Sequence, residues 1–294
     1  MSIETADIID FRVRVPDALC PDIKLPAEQL AQYEAVLDVG EKQAAAQTLD
    51  NLIAQMDANG VVHAVMHAEN EVGDVGDALN RIVADIVEQY PDRFTGIGTV
   101  SLDGFTIKKA LRQIDECVEL GLIGLSLEPA FFGLHLNEKQ LYPVYAKAME
   151  KNLLVALHTG INYTTHRAMG GENPMLLDEI ACDFPDLTIV ASHGGWPWIT
   201  EMVAVARKHP QIYIEFGGLS PKYIGALGSG WEVMYRFMNS VLKDQILYGT
   251  DYPAIDHHRT LKEWQALNLK SAVYTSLMVG NANQLIQKHA RNKK

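Results

Sequence analysis

Eight short apolar runs rich in Val, Ile and Leu recur along the chain, at residues 6–15, 61–68, 94–100, 122–127, 153–157, 187–192, 212–216 and 245–248. Most are separated by longer stretches with helical periodicity, at 43–59, 76–90, 107–120, 140–152, 175–184 and 199–208. Strand followed by helix, repeated, predicts a parallel sheet. Pro91, Pro185 and Pro210 each fall just past a helical stretch and just before a strand, where a residue unable to continue a helix acts as punctuation. No Ser/Gly-rich linker, charge block or fixed-period repeat divides the chain. The expected architecture is therefore one α/β domain spanning residues 1–294, a closed (β/α)8 TIM barrel.

Three connections are longer than the rest. Residues 16–41 read as an excursion over one barrel end, and residues 163–173 and 217–230, the latter with five glycines, read as loops at strand ends. Chemistry in this fold sits at the C-terminal ends of the strands. Those ends carry Arg12 and Arg14, His67, Glu128, His158, His193, Glu215 and Asp251. A hydrophobic barrel has no structural need for so many ionisable groups on different strands, and burying them unpaired is costly, so the set is a site hypothesis.

Each residue also has a plainer explanation. His67 reads as a hydrogen-bonded wall histidine. Glu128 and Glu215 each fit either a capping or ion-pairing role or a functional one. His158 and His193, which follow buried strands and precede glycine turns, and Asp251, at the end of the last strand, are the best functional candidates. His257, His258, His209 and His289 read as solvated, and Trp196 and Trp198 as packing or a pocket wall.

Charge and composition narrow the partners. The 294 residues are 48% hydrophobic, enough for a large core, and Lys+Arg 25 against Asp+Glu 37 gives a net charge of −12. That balance offers no general attraction to nucleic acid or to anionic membranes. No run approaches the roughly 20 apolar residues of a membrane span, and the amino terminus lacks the apolar core of a signal peptide. Cys20, Cys117 and Cys182 are far apart and form no C-x-x-C pair, which fits a reducing, cytoplasmic setting.

The strings ALHTG (156–160), ASHGG (191–195), LYGTDYP (247–253) and GNANQL (280–285), in this order, resemble the amidohydrolase superfamily. The likeness is specifically to the amidohydrolase-2 group, which includes aminocarboxymuconate-semialdehyde and γ-resorcylate decarboxylases, and it spans almost the whole chain. It implies a distorted TIM barrel, a single divalent metal in most members, and hydrolysis or non-oxidative decarboxylation of small, often aromatic or unsaturated, carboxylic acids. It also implies that His158 is a metal ligand, His193 the general acid/base, and Asp251 both ligand and proton shuttle. Barrels of this group often pair, which makes a homodimer the expectation.

The first strand departs from the group. Where such proteins carry Asp-x-His-x-His, this chain reads Asp10-Phe11-Arg12-Val13-Arg14. A guanidinium has no lone pair to offer and stays charged at neutral pH, so neither arginine can ligate a cation. Residues two apart on a strand share a face, which sends both arginines toward His158 and Asp251. The expectation is that no cofactor is needed. Arg12 and Arg14, with Glu128, would bind a substrate carboxylate or steady an oxyanion, while Asp251, His193 and His158 carry out the catalysis. Two alternatives remain: a structural salt-bridge network in a barrel that has lost its metal, or a divalent ion such as zinc on His158, His193 and Asp251 with a carboxylate.

The leading functional expectation is a hydrolase acting on a small carboxylated ester or lactone. A decarboxylase of a small aromatic or unsaturated acid stands second. A non-catalytic binding protein on a degenerate barrel stands third.

Overall fold

The computed structural model describes residues 7–20, 27, 31 and 48–290. Eight parallel strands appear where the apolar runs place them: β1 (Ile8–Arg14), β2 (Val61–His67), β3 (Phe94–Ile97), β4 (Gly124–Leu127), β5 (Leu154–Leu157), β6 (Ile189–Ala191), β7 (Ile212–Glu215) and β8 (Ile246–Leu247). They pair in the order β1-β2-β3 and β4-β5-β6-β7-β8. Two isolated parallel bridges, Gly98 with Leu125 and Val13 with Tyr252, join these sheets into a closed barrel. At those seams Gly98 N donates to Gly124 O at 2.9 Å, and Phe11 N donates to Tyr248 O at 2.8 Å.

The six expected helices are α1 (Leu49–Ala58), α2 (Gly76–Gln89), α3 (Ile107–Glu119), α4 (Tyr142–Glu150), α5 (Leu176–Asp183) and α6 (Ile199–Lys208). Thr48 and Thr106 cap α1 and α3 by accepting from backbone N–H groups three residues on, each a contribution of about 1 kcal/mol. Four further helices have no counterpart in the periodicity reading: α7 (Glu232–Met238), α8 (His257–Ala266), α9 (Ser271–Thr275) and α10 (Asn281–His289). Of the excursion expected at 16–41, the described part holds a single turn, Asp17–Leu19, and the remainder lies outside the described residues, Ala27 and Ala31 apart. No described helix is long and apolar enough to cross a membrane.

Two layers fill the lumen. Ile9, Phe11, Val65, Ile97, Leu154, Val190 and Leu247 form an apolar cluster that Ala282 and Leu285 of α10 join from outside the strands. Above it, toward the C-terminal ends, the interior turns polar. A register irregularity in β1 between Asp10 and Val13 is what allows this: the extra residue of a bulge shifts the side-chain phase, so Arg12 and Arg14 follow Ile9 and Phe11 inward.

Three solvated histidines need correction. His257 is fully buried, its Nε2 2.9 Å from Asp10 Oδ2. Asp10 also accepts from Arg12 N and from both Thr250 N and Thr250 Oγ1, so it ties β1 to the segment after β8. His209 and His289 are buried as well, against Asp178 and Thr188 respectively. His258 is exposed, as expected.

Candidate active site

Arg12 is 1% exposed and touches five groups. Its Nη2 lies 2.7 Å from Glu69 Oε1 and its Nε 3.3 Å from Asp251 Oδ1, with Glu215 Oε2 at 4.0 Å. Its Nη1 donates to Ser192 Oγ at 2.9 Å and meets His67 Nδ1 at 3.3 Å. Arg14, with a side chain 27% exposed, grips both Asp251 oxygens, at 2.9 and 3.2 Å, and reaches Glu69 Oε2 and Glu71 Oε1 at 2.9 Å each. Both arginines therefore converge on Asp251, as their shared strand face requires. Glu69 and Glu71, one strand over, complete the network; the sequence reading passed over both.

The network shifts its acidic groups in different directions. Burial works against ionising Asp251, but Arg14 and Arg12 outweigh it and hold the carboxyl well below the usual carboxylate range. Burial pushes Glu69 upward against the pull of the same two guanidinium groups. Glu215 is raised to about 8 and Glu128 to about 7, both by burial, with Arg12 opposing. Burial and then Arg12 push His67 well below the ordinary imidazole range. Its Nε2 meets Phe11 O at 2.9 Å, the satisfied wall histidine that was expected.

His193 and Asp251 share an uncommon backbone. Both are non-glycine residues in the left-handed region, with φ of 62° and 57°. Such residues cost on the order of 1 kcal/mol or more and persist where the surroundings over-determine them. Gly218, φ 69°, is what makes room: a Cβ there would sit 2.9 Å from His193 Nδ1 and 3.1 Å from Asp251 Oδ2. His193 Nδ1 lies 2.8 Å from Gly217 O, an acceptor only, so Nδ1 carries the proton and Nε2 the lone pair. That Nε2 is buried with no hydrogen-bond partner. Burial, then Arg12, then His158 keep the ring neutral, well below its ordinary range.

His158 is the counterpart. Its ring centroid lies 4.6 Å from that of His193, and its Nδ1 2.6 Å from Glu172 Oε1. Burial disfavours its charge, but Glu172 overcomes this and raises its pKa. Glu172, fully buried in the loop after β5, also accepts from Asn162.

These groups border a cavity of about 550 Å³ at the C-terminal mouth. His158, His193, Asp251 and Arg14 line it, together with Trp196, Tyr223 and Arg259 among others. Trp196 stacks on Trp231, ring planes 13° apart, giving the cavity a flat aromatic wall. The loops expected at 163–173 and 217–230 both reach it, through Tyr163 and through Gly218 to Ser229. Arg12 and Glu128 are not on the lining. Glu128 is tied by Ser126 Oγ at 2.8 Å and Asn70 N at 3.2 Å, and Arg12 is enclosed by its ion pairs. Arg259, absent from the sequence candidates, donates Nε to Glu263 and Nη2 to Ser220, which leaves Nη1 without a described partner.

A sequence model of the amidohydrolase-2 family, described as amidohydrolase, matches residues 23–287. The chain belongs to this amidohydrolase family. Membership places it among enzymes. A 2-amino-3-carboxymuconate-6-semialdehyde decarboxylase from Dictyostelium discoideum is 22% identical over 205 residues, covering 61% of this chain and 56% of that protein; the match thus spans a little over half of the relative's length. An uncharacterised TIM-barrel protein from Bordetella bronchiseptica superposes with a TM-score of 0.80 at 28% identity, covering 97% of this chain and all of the other. A 5-carboxyvanillate decarboxylase from Sphingomonas paucimobilis has the same fold, with a TM-score of 0.70 at 18% identity over 96% and 99% of the two chains.

Most of this amidohydrolase group use a divalent metal, and the mouth does not suit one. An ion bound to Asp251 at about 2.0–2.2 Å would share that carboxylate with guanidinium nitrogens already 2.9–3.3 Å away, two positive charges with no lone pair to offer. Among the described residues, the mouth holds no three His, Cys, Asp or Glu side chains with ligand atoms within 4.8 Å of one another.

Proposed function

We propose that this amidohydrolase hydrolyses a small, planar, carboxylated ester or lactone, with protein guanidinium groups taking the place of the ion. The observation that carries the reading is His193, a residue of the cavity lining: a neutral imidazole with its Nδ1 proton committed to Gly217 and its Nε2 lone pair without a hydrogen-bond partner. In the reaction Nε2 takes a proton from water, the resulting hydroxide adds to the substrate carbonyl, and the C–O bond breaks. Arg14, the partly exposed guanidinium of the network, faces the oxyanion that forms, and His158, supported by Glu172, returns a proton to the departing oxygen. Asp251 does not shuttle protons here. Locked as an anion by two arginines, it fixes their position, as do Glu69 and Glu71.

Recognition follows from the rest of the wall. The stacked Trp196 and Trp231 suit a flat unsaturated body, and Arg259 Nη1 is the available charged donor for a carboxylate. A base paired with an acid favours hydrolysis, because adding water needs both, whereas protonating a carbanion after CO2 loss needs only the acid. Decarboxylation is the second reading. It draws on the Dictyostelium decarboxylase and on His158 as proton donor.

The test is a panel of carboxylated lactones, esters and aromatic acids given to enzyme stripped with chelator. Acid release without CO2 is expected, and His193→Gln should lower kcat by about 10²–10⁴-fold with an unchanged melting temperature. CO2 release would install the second reading. Ligand binding without turnover, indifferent to His193→Gln, would leave only a binding protein.

A further inference from the structure

A second cluster of ligand atoms lies at the other end of the barrel. Asp178 and Cys182, four residues apart on α5, project from one helix face, and His209 ends α6. Asp178 is part-buried, Cys182 exposed and His209 buried, and their ligand atoms all lie within 4.8 Å of one another. Both helices run back from the cavity end, and Gln211, just before β7, bonds Ala181 O at 3.2 Å. The cluster is therefore at the N-terminal face, the end this fold does not use for chemistry.

We propose that Asp178, Cys182 and His209 form a binding site for a thiophilic divalent cation of the zinc class, clamping α5 to the end of α6. The donor set is one thiolate sulfur, one imidazole nitrogen and one carboxylate oxygen, the mixture that suits a borderline-soft ion, with water as fourth ligand. Ligand atoms around such an ion stand roughly 3.3–3.8 Å apart, given bonds of about 2.0–2.3 Å. His209 Nε2 and Asp178 Oδ1, now 2.7 Å apart, need to open by less than about 1 Å on that scale.

One group opposes the cation. Lys208 Nζ donates to Asp178 Oδ1 at 2.6 Å and stands 4.0 Å from Cys182 Sγ. Its side chain is 56% exposed, so it can swing into water, where a surface ion pair is worth at most about 1 kcal/mol. Metal binding thus displaces an ammonium from Asp178.

Cobalt(II) is the probe, because a thiolate ligand gives a sulfur-to-cobalt charge-transfer band in the near ultraviolet. No cysteine lies at the cavity, so the band reports this site alone; Cys20 and Cys117 are buried elsewhere. The wild-type chain should show the band with one equivalent of cobalt(II). Zinc should displace it and protect Cys182 from alkylation. Cys182→Ser should abolish the band, and Lys208→Met should tighten cobalt binding several-fold. Hydrolytic turnover should not change in either variant. A wild-type chain without the band, a band that survives Cys182→Ser, or a band seen only in Lys208→Met each overturns the proposal.

Discussion

Within one barrel, the lower and upper halves of the lumen are built from the same strands and obey opposite rules. Below, Ile9, Phe11, Val65, Leu154 and Leu247 close the interior with carbon alone. Further along the strands and their exits, Arg12, Glu69, Glu215 and Asp251 fill the same cross-section with ionisable groups. Apolar burial stabilises with no need for exact partners, whereas a buried ion pair roughly breaks even against hydrophobic residues of similar volume. The upper layer therefore adds little to folding that the lower layer could not supply. What it adds is fixed positive charge beside a free imidazole, and that has value only at a site.

The sharpest way to break this contrast is to remove one partner from each layer. Arg12→Met takes one of two guanidinium partners from Glu69 and Asp251, and the nearby guanidinium from Glu215. It should cost about 3–5 kcal/mol of stability by denaturant titration and also remove activity. Adding Glu69→Leu to Arg12→Met should recover a measurable part of that stability without restoring turnover. Leu154→Ala, in the apolar layer, should cost about 2–5 kcal/mol through its cavity and leave kcat of the surviving folded enzyme nearly unchanged. Equal losses of kcat in the two single variants would erase the distinction between the layers.

Arg259→Met sharpens the upper layer alone. Arg259 sits on α8, outside the buried network, and keeps Nη1 for a ligand. Losing a charged hydrogen bond to substrate should raise KM by about tenfold or more, with kcat changed little and the melting temperature held. A fall in kcat at constant KM would move Arg259 from recognition to chemistry.

The contrast also explains what the sequence revealed. The eight strands were legible because strands buried on both faces read as unbroken apolar runs, and α6 was found to the residue because His209 and Pro210 end it cleanly. Arg12, Arg14, His158, His193 and Asp251 were legible because they close strands. Glu69 and Glu71 were missed because Ala-Glu-Asn-Glu reads as a solvated loop, although it directly follows β2, where the strand-end rule applies. Arg259 and Glu172 were hidden for another reason: each lies several residues past its strand, on a helix start or a loop turn that no short-range pattern aims at the cavity. His257 looked solvated because its partner, Asp10, is 247 positions away in the chain.

The last test separates the layers by pH. Glu215 belongs to the polar layer, and burial lifts its carboxyl from the ordinary 4.5 to about 8, with Arg12 only partly opposing. In the folded chain it holds its proton near neutrality, whereas in the unfolded chain it has lost it. Folding therefore takes up a proton between these values. The stability this group contributes is complete below about pH 4.5 and is lost as pH rises toward 8, by at most about 1.4 kcal/mol per pH unit. Glu215→Gln keeps an acceptor for Gly217 N but cannot ionise, so its stability against pH should be flatter than wild type across that window. Leu154→Ala should shift the whole curve down without changing its slope. Parallel curves for wild type and Glu215→Gln would mean that the carboxyl is already ionised in the folded barrel, and that Arg12 holds three anions rather than two.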